Sequence, residues 1–179
     1  MTSGQQTIGP QTPDQRTWQA ICSGDARAFE AFYREHAARI VGFLERYLAD
    51  AQAAQDVSQE TFLALWHKPN GFNPARGSLR GYLFGIARKR AAERWRRQAR
   101  PATQTSEQEA ASGESTALFA DLLAQLEPDQ RSLLWLREVE GYSYAELAAI
   151  FDTQEGTVKS RLYAAREALR ALWHQRPPD

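Results

Sequence analysis

Apolar residues along the chain recur at three- and four-residue intervals, and no stretch sustains two-residue alternation with β-branched enrichment. The pattern predicts an all-α protein. Its clearest stripe runs from Asp25 to Ala49, where Phe29, Phe32, Tyr33, Ala37, Ile40, Val41, Leu44, Tyr47 and Leu48 share one helical face and Gly24-Asp25 supplies the start. A second helix is predicted over roughly Ala51 to Trp66, ended by the turn chemistry of Pro69-Asn70-Gly71 and Asn73-Pro74. After a short aromatic-bearing loop, His67 to Gly77, Ser78 serves as N-cap for a third helix, LRGYLFGIARKRAAERWRRQAR. This helix is amphipathic through Leu79, Tyr82, Leu83 and Ile86 and then basic nearly all round, so its second half must face something other than a core.

Pro101 to Ala117, PATQTSEQEAASGESTA, is rich in small polar residues and reads as a flexible linker and domain boundary. Its 17 residues reach about 60 Å when fully extended, which frees the two folded parts to sit well apart on a partner. Leu118, Phe119, Leu122, Leu123 and Leu126 resume the apolar pattern, Glu127-Pro128 break it, and DQRSLLWLREVEG follows with Gly141 as its stop. In SYAELAAIF, Ser143 and Glu146 form a capping box. Asp152-Thr153 make a short interruption, and Thr153 is the expected cap of a last helix running to about Trp173, before Pro177-Pro178. Two helices of about eight and eighteen residues joined by a tight turn have the dimensions of a helix-turn-helix.

On the last helix Val158, Leu162, Ala165, Leu169, Leu172 and Trp173 fall on one face about 100° wide, which is expected to pack inward. Lys159, Ser160 and Tyr163 point the other way within the first two turns, the part of a recognition helix that enters the major groove. Arg161, Arg166 and Arg170 flank them within reach of phosphates, and the helix N-terminus adds a favourable dipole. Taken alone, this helix fits several kinds of DNA-reading protein, or a basic solvated face.

Composition sharpens the picture. A chain of 179 residues with 42% hydrophobic and 11% aromatic residues suits one compact domain or two small ones. The single cysteine, Cys22, excludes an internal disulfide, no Cys/His set has zinc-site spacing, and a reducing cytoplasmic setting fits. Residues 1–15 have neither a basic start nor an apolar stretch, so they are expected to be a disordered tail rather than a signal peptide. Formal net charge is zero, which at first argues against a nucleic-acid partner. The distribution reverses that impression: Arg76 to Arg100 holds nine basic residues and one acid, Glu93, whereas Pro101 to Glu127 holds five acids and no base. No GxxxxGK[ST] is present, so no cofactor is expected, and any DNA opening must draw on binding energy.

Three ordered segments carry a family resemblance. DVSQETFLALW (Asp56 to Trp66), FNPARGSLRGYLFGIARKRAAERWRR (Phe72 to Arg97) and LREVEGYSYAELAAIFDTQEGTVKSRLYAAREAL (Leu136 to Leu169) resemble bacterial RNA polymerase sigma factors of the extracytoplasmic-function (ECF) group, over residues 17–100 and 118–173. The resemblance implies a sigma-2-like helical bundle at residues 16–100 and a sigma-4-like helix-turn-helix domain at 118–179, joined by the linker 101–117. It implies no enzyme activity: such a protein binds core RNA polymerase, directs it to the −35 and −10 elements of promoters, and helps open the DNA.

By the same resemblance, Asp56, Gln59 and Glu60 dock on the clamp helices of the largest polymerase subunit, a role suited to placed charges on a rigid helix. Phe72, Asn73 and Arg76 surround a base captured from the −10 element, with Arg80, Arg88, Lys89, Arg94, Arg96 and Arg97 along the strand. Tyr82 and Trp95 are either stacking surfaces or core. Thr157, Lys159, Ser160, Arg161, Tyr163 and Arg166 become −35 contacts. The partners implied are core RNA polymerase, promoter DNA and an anti-sigma factor that clamps between the two domains, placing the protein in the cytoplasm or, through the anti-sigma factor, at the membrane. Phe151-Asp152 and Ala164 depart from the family's pattern. Two other readings are a stand-alone helix-turn-helix regulator and a nuclease with a metal on Asp56, Glu60 and His67, which lacks a second set of ligands.

Overall fold

Capping side chains set most of the helix starts. In this computed structural model residues 11–67, 71–98 and 122–175 are described. The expected turn residues Pro69 and Asn70, Arg100, the linker 101–117, Leu118, Phe119 and Pro177-Pro178 lie outside the described residues, as do residues 1–10 of the expected tail. The first helix, α1 (Pro13–Cys22), begins inside that expected tail. Thr12 and Gln15 form a capping box, and Pro13 occupies the first helical position, where a missing N–H costs nothing. Ile21 is its buried anchor.

Helix α2 (Ala26–Leu48) starts at Asp25, whose carboxylate accepts from the backbone amides of Arg27 and Ala28, and ends at Ala49 in the left-handed region. The expected stripe buries Phe32, Ile40, Leu44, Tyr47 and Leu48, whereas Tyr33 faces outward. Helix α3 (Ala51–His67) follows at once, with Asp50 accepting from the Ala53 amide. A single 3-10 turn, Pro74–Arg76, leads to α4 (Leu79–Gln98), where the Ser78 hydroxyl accepts from the Gly81 amide as expected of its N-cap. Leu79, Leu83, Phe84, Ala87 and Ala91 form the buried face of α4.

In the C-terminal part, α5 (Pro128–Glu138) is followed by Gly141 at φ +75°, then α6 (Tyr144–Phe151) and α7 (Glu155–His174). The Ser143–Glu146 capping box forms at the start of α6. Two expectations are corrected. Thr153 does not cap α7: Asp152 ends α6 in the left-handed conformation, and the turn then runs one residue longer, so Gln154 takes the cap position without a side-chain bond. Trp173 does not pack inward, because it stands in the last turn of α7, outside the core that Leu169 and Leu172 still border; Val158, Leu162 and Ala165 are buried, Leu169 and Leu172 are partly covered, and Trp173 is 54% exposed.

Helix α2 is central, with α3, α4 and α5 packed around it and α1 laid across α2 and α4; α5, α6 and α7 pack on one another. The two parts do not sit apart. Helix α6 rests on α4 and α5 on α2, and one hydrophobic core runs from Ile21 to Ala165 through both. The reason lies on α4, where Gly81 and Gly85 leave a shallow seat. A Cβ at Gly85 would already be in van der Waals contact with the Ile150 backbone, and one at Gly81 would lie 3.6 Å from the Tyr142 ring. Tyr142 is fully buried there, edge-on to Phe84 at 5.7 Å between ring centroids.

Candidate nucleic-acid interface

The N-terminal turns of α7 present Lys159, Ser160, Arg161 and Tyr163 to solvent, with Tyr163 67% exposed, while Val158 and Leu162 hold the helix against α5 and α6. Thr157 is partly covered, and its carbonyl accepts from the Ser160 hydroxyl. Lys159 Nζ lies 5.4 Å from the centre of the Tyr144 ring, which restrains a flexible side chain at the front of the helix. Arg166 is exposed but paired with Glu138 at 2.6 Å, a bond that raises its already high pKa, and Arg170 pairs with Glu167. Apart from Thr157, the expected −35 set is exposed to solvent, with Arg166 anchored at its flank.

The expected −10 set divides into groups with different surroundings. Phe72 and Asn73 stand on the loop, where the Asn73 carboxamide oxygen accepts from the Ala75 amide at 2.9 Å and fixes the 3-10 turn. Phe72 and Tyr82 both meet the Trp18 ring edge-on, with centroids 5.4 and 5.9 Å away. Tyr82 is therefore neither fully core nor free, and burial raises its phenol pKa. Between this loop, α4 and α6 lies a cleft of about 430 Å³ lined by Phe72, Asn73, Arg76, Tyr82, Lys89 and Asp152, among others.

Arg76, Arg80, Arg88 and Lys89 are turned toward the C-terminal helices. Asp152 receives Arg76 at 3.4 Å and Lys89 at 3.9 Å. Glu140 receives Arg80 at 3.7 Å and Arg39 at 3.9 Å, and the Arg80 guanidinium also covers the Tyr142 ring. Arg88 donates to the Ile150 carbonyl, pairs with Asp129 at 3.4 Å and lies over the Phe151 ring. From the other side Arg131, 5% exposed, donates to the carbonyls of Tyr47 and Ala124, so a cation satisfies an orphan carbonyl at the C-terminal end of α2. Burial lowers the pKa of Arg131 and raises that of Tyr142. Among the described residues, Nε of Arg131 and Nε1 of Trp135 are buried without a hydrogen-bond partner.

Arg94 turns the opposite way, toward α3. It meets Asp56 at 3.7 Å, and the neighbouring Arg90 bonds Glu60 at 2.9 Å. The structure thus joins Arg94, expected to hold DNA, to Asp56, expected to hold polymerase, while Arg90 holds Glu60. Gln59 is exposed between them, and Leu63, 51% exposed, adds an apolar position on the outward side of α3. Trp95, Arg96 and Arg97 are exposed near the end of α4, with Arg97 4.0 Å from Glu93. Among the described residues no three His, Cys, Asp or Glu side chains are grouped to hold a metal ion, and no helix is long and apolar enough to cross a membrane.

Sequence reasoning missed Asp129, Glu140 and Asp152 as partners of the basic block, and Arg131 and Tyr142 as the centre of the joint. Nothing local marks them. Trp18 and Asp14 were also missed, although the Thr12-x-x-Gln15 spacing of a capping box stood before them.

Known proteins resolve what this arrangement belongs to. Residues 32–101 match Sigma-70 region 2, and residues 116–169 match Sigma-70, region 4. The ECF RNA polymerase sigma factor SigL of Mycobacterium tuberculosis is 34% identical over 159 residues, covering 83% of this chain and 90% of the relative. The RNA polymerase sigma-H factor of Pseudomonas aeruginosa is 30% identical, covering 89% and 93%. Among solved structures, CnrH in complex with the cytosolic domain of CnrY is similar with a TM-score of 0.71 at 27% identity, covering 92% of this chain and 99% of that one. The sigma factor RpoE in complex with the anti-sigma factor NepR from Bartonella quintana gives 0.70 at 25% identity, covering 85% and 100%. A stand-alone helix-turn-helix regulator would not carry region 2 ahead of region 4. The protein belongs to the sigma-70 family, a family of DNA-binding factors of transcription initiation, as an ECF RNA polymerase sigma factor.

Proposed function

We propose that this sigma factor divides its work among three surfaces and passes through two arrangements. Asp56, Gln59 and Glu60 on α3 dock core polymerase, with Leu63 beside them. Phe72, Asn73 and Arg76 on the loop capture a −10 base, while Arg80, Arg88, Lys89, Arg94, Arg96 and Arg97 follow the strand. Thr157, Lys159, Ser160, Arg161, Tyr163 and Arg166 on α7 read the −35 element. The domains are residues 16–100 and 118–179, with α1 extending the first toward residue 13 and residues 101–117 linking the two.

The observation that carries the second half of this reading is the contact of Arg76, Arg80, Arg88 and Lys89 with Asp152, Glu140, Asp129 and the Ile150 carbonyl. Phosphates and these oxygens compete for the same cations, so the packed arrangement is the resting one, and promoter binding requires the domains to part. An anti-sigma chain would act by holding the domains in this packed arrangement. The likeness to CnrH solved with the cytosolic domain of CnrY, and to the sigma factor RpoE solved with the anti-sigma factor NepR, supports that role. The site of action is the cytoplasm, at the nucleoid when polymerase is engaged.

The test is to add the chain to core polymerase and sequence the transcripts that start. Promoter-directed starts are expected, and failure to bind core polymerase would sink the division of surfaces.

A further inference from the structure

Helix α1 precedes the segment that matches region 2, which begins at residue 32, yet one of its side chains reaches the base-capturing loop and another the first turn of α4. Trp18 contacts the rings of both Phe72 and Tyr82, and these two lie 5.9 Å apart, closing a three-ring cluster. Tyr82 in turn presses on the loop backbone: a Cβ at Gly71 would lie 2.0 Å from its hydroxyl oxygen. Below the loop the Asp14 carboxylate accepts from the Leu79 amide at 2.7 Å, so α1 supplies a cap to the first turn of α4 alongside Ser78.

The division of labour within α1 is visible in its burial. Ile21, 2% exposed, roots the helix in the core, whereas Trp18 is only partly covered and its ring contacts are with the loop and the first turn of α4. Filling a core does not require a tryptophan at that rim. Fixing Phe72 does, because a base-capturing side chain gains selectivity when its neighbours hold it in one geometry before the base arrives.

We propose that Trp18 and Asp14 are positioning residues for base capture at the −10 element. Trp18 holds Phe72 and Tyr82, Asp14 holds the start of α4, and neither touches the base. The inference rests on the assignment of the loop to −10 reading made above.

Its test uses holoenzyme reconstituted from core polymerase and the full chain, on a promoter found by sequencing transcript starts and on copies with single-base changes across its −10 element. The readout is selectivity, the ratio of open-complex yields measured by permanganate reactivity of unpaired thymines. Trp18→Ala is expected to lose about tenfold in selectivity, each edge-to-face pair being worth a factor of roughly 2–12. Trp18→Phe should retain most of it, and Asp14→Ala should fall between the two. Affinity for core polymerase and for −35 duplex should not change in any of them. Ile21→Val loosens the root of α1 without touching the loop and should select like the wild type. The proposal is overturned if Trp18→Ala selects like the wild type, or if Ile21→Val loses as much selectivity, which would make α1 a folding element alone. If the wild type itself starts no promoter-directed transcripts, the assignment of the loop falls first, and this inference with it.

Discussion

Replacing Asp152 by Asn and Glu140 by Gln should open the joint between the two domains. Both changes preserve shape. Asn tolerates the left-handed backbone that Asp152 adopts at φ +51°, and Gln matches Glu in length, so the perturbation is one of charge. Asp152 faces Arg76 and Lys89 at 3.4 and 3.9 Å, with its side chain 62% exposed, and exposed pairs of this kind contribute about 0.2–1 kcal/mol each. Glu140 faces Arg80 and Arg39 from a side chain only 10% exposed, where screening is weaker, and contributes about 1–2 kcal/mol. Together the loss is about 2–3 kcal/mol, roughly a hundredfold shift toward the open form. The apolar seat of Tyr142 and Ile150 on Gly81 and Gly85 remains, so the domains stay folded.

If only the open form binds DNA, apparent affinity scales with the open fraction. A labelled single strand followed by anisotropy at physiological ionic strength should therefore bind the double variant up to about a hundredfold more tightly than the wild type. Added positive charge alone also favours DNA. Glu30→Gln/Glu167→Gln changes net charge equally while touching only the local pairs to Arg34 and Arg170, and serves as control. The reasoning is refuted if the interface variant gains no more affinity than this control.

Other surfaces give independent predictions. Lys159→Ala should weaken −35 duplex binding by about tenfold with core-polymerase affinity unchanged; loss of both together in binding assays would contradict the separation of surfaces. Neutralising Arg96 and Arg97, which lie outside the joint, should lower the slope of log affinity against log salt by about 1.5 for promoter DNA, and an unchanged slope counts against that track. His36 is buried beside Glu35, Arg39, Arg80 and Asp14, and burial chiefly lowers its pKa, with Arg80 and Arg39 acting in the same direction and Glu35 and Asp14 opposing. The unfolded chain then binds the proton more readily, so stability holds above about pH 6.5 and falls as pH drops below it. Urea midpoints measured from pH 8 to pH 5 check this; a midpoint that rises on acidification would rule it out.

Much of the fold could be read from short-range signals. The α2 stripe, the Asp25 start, the Ser143–Glu146 capping box and the buried face of α7 at Val158, Leu162 and Ala165 all depend on neighbours within about one turn, and periodicity reports those directly. Helix α1 was hidden because the polar residues of PDQRTWQAIC outweigh its apolar ones, even though its capping box was present. The packing of the domains was illegible for a different reason. Asp129, Glu140 and Asp152 lie 41 to 76 residues from the arginines they meet in the hydrogen-bonded cases, and a segment's charge sum carries no information on which acids will face which bases. The candidate site was legible as a set of residue types on the loop, α4 and α7; that Arg76, Arg80, Arg88 and Lys89 are held by oxygens of the C-terminal part was not.

Arg88 illustrates what that occupancy does to measurement. Its guanidinium holds the Ile150 carbonyl, Asp129 and the Phe151 ring on the side where a strand would lie. On the proposed reading, truncating it removes these contacts from the packed form and a strand contact from the DNA complex, and an assay reports only the difference. A substitution at Arg88 that leaves promoter output unchanged is therefore no sign of an idle residue: two losses of similar size can cancel. Alanine scans of α4 will undervalue the residues that serve in both states and rank the distal pair, Arg96 and Arg97, above them. Their true order emerges only when the same substitutions are repeated in a background already locked open.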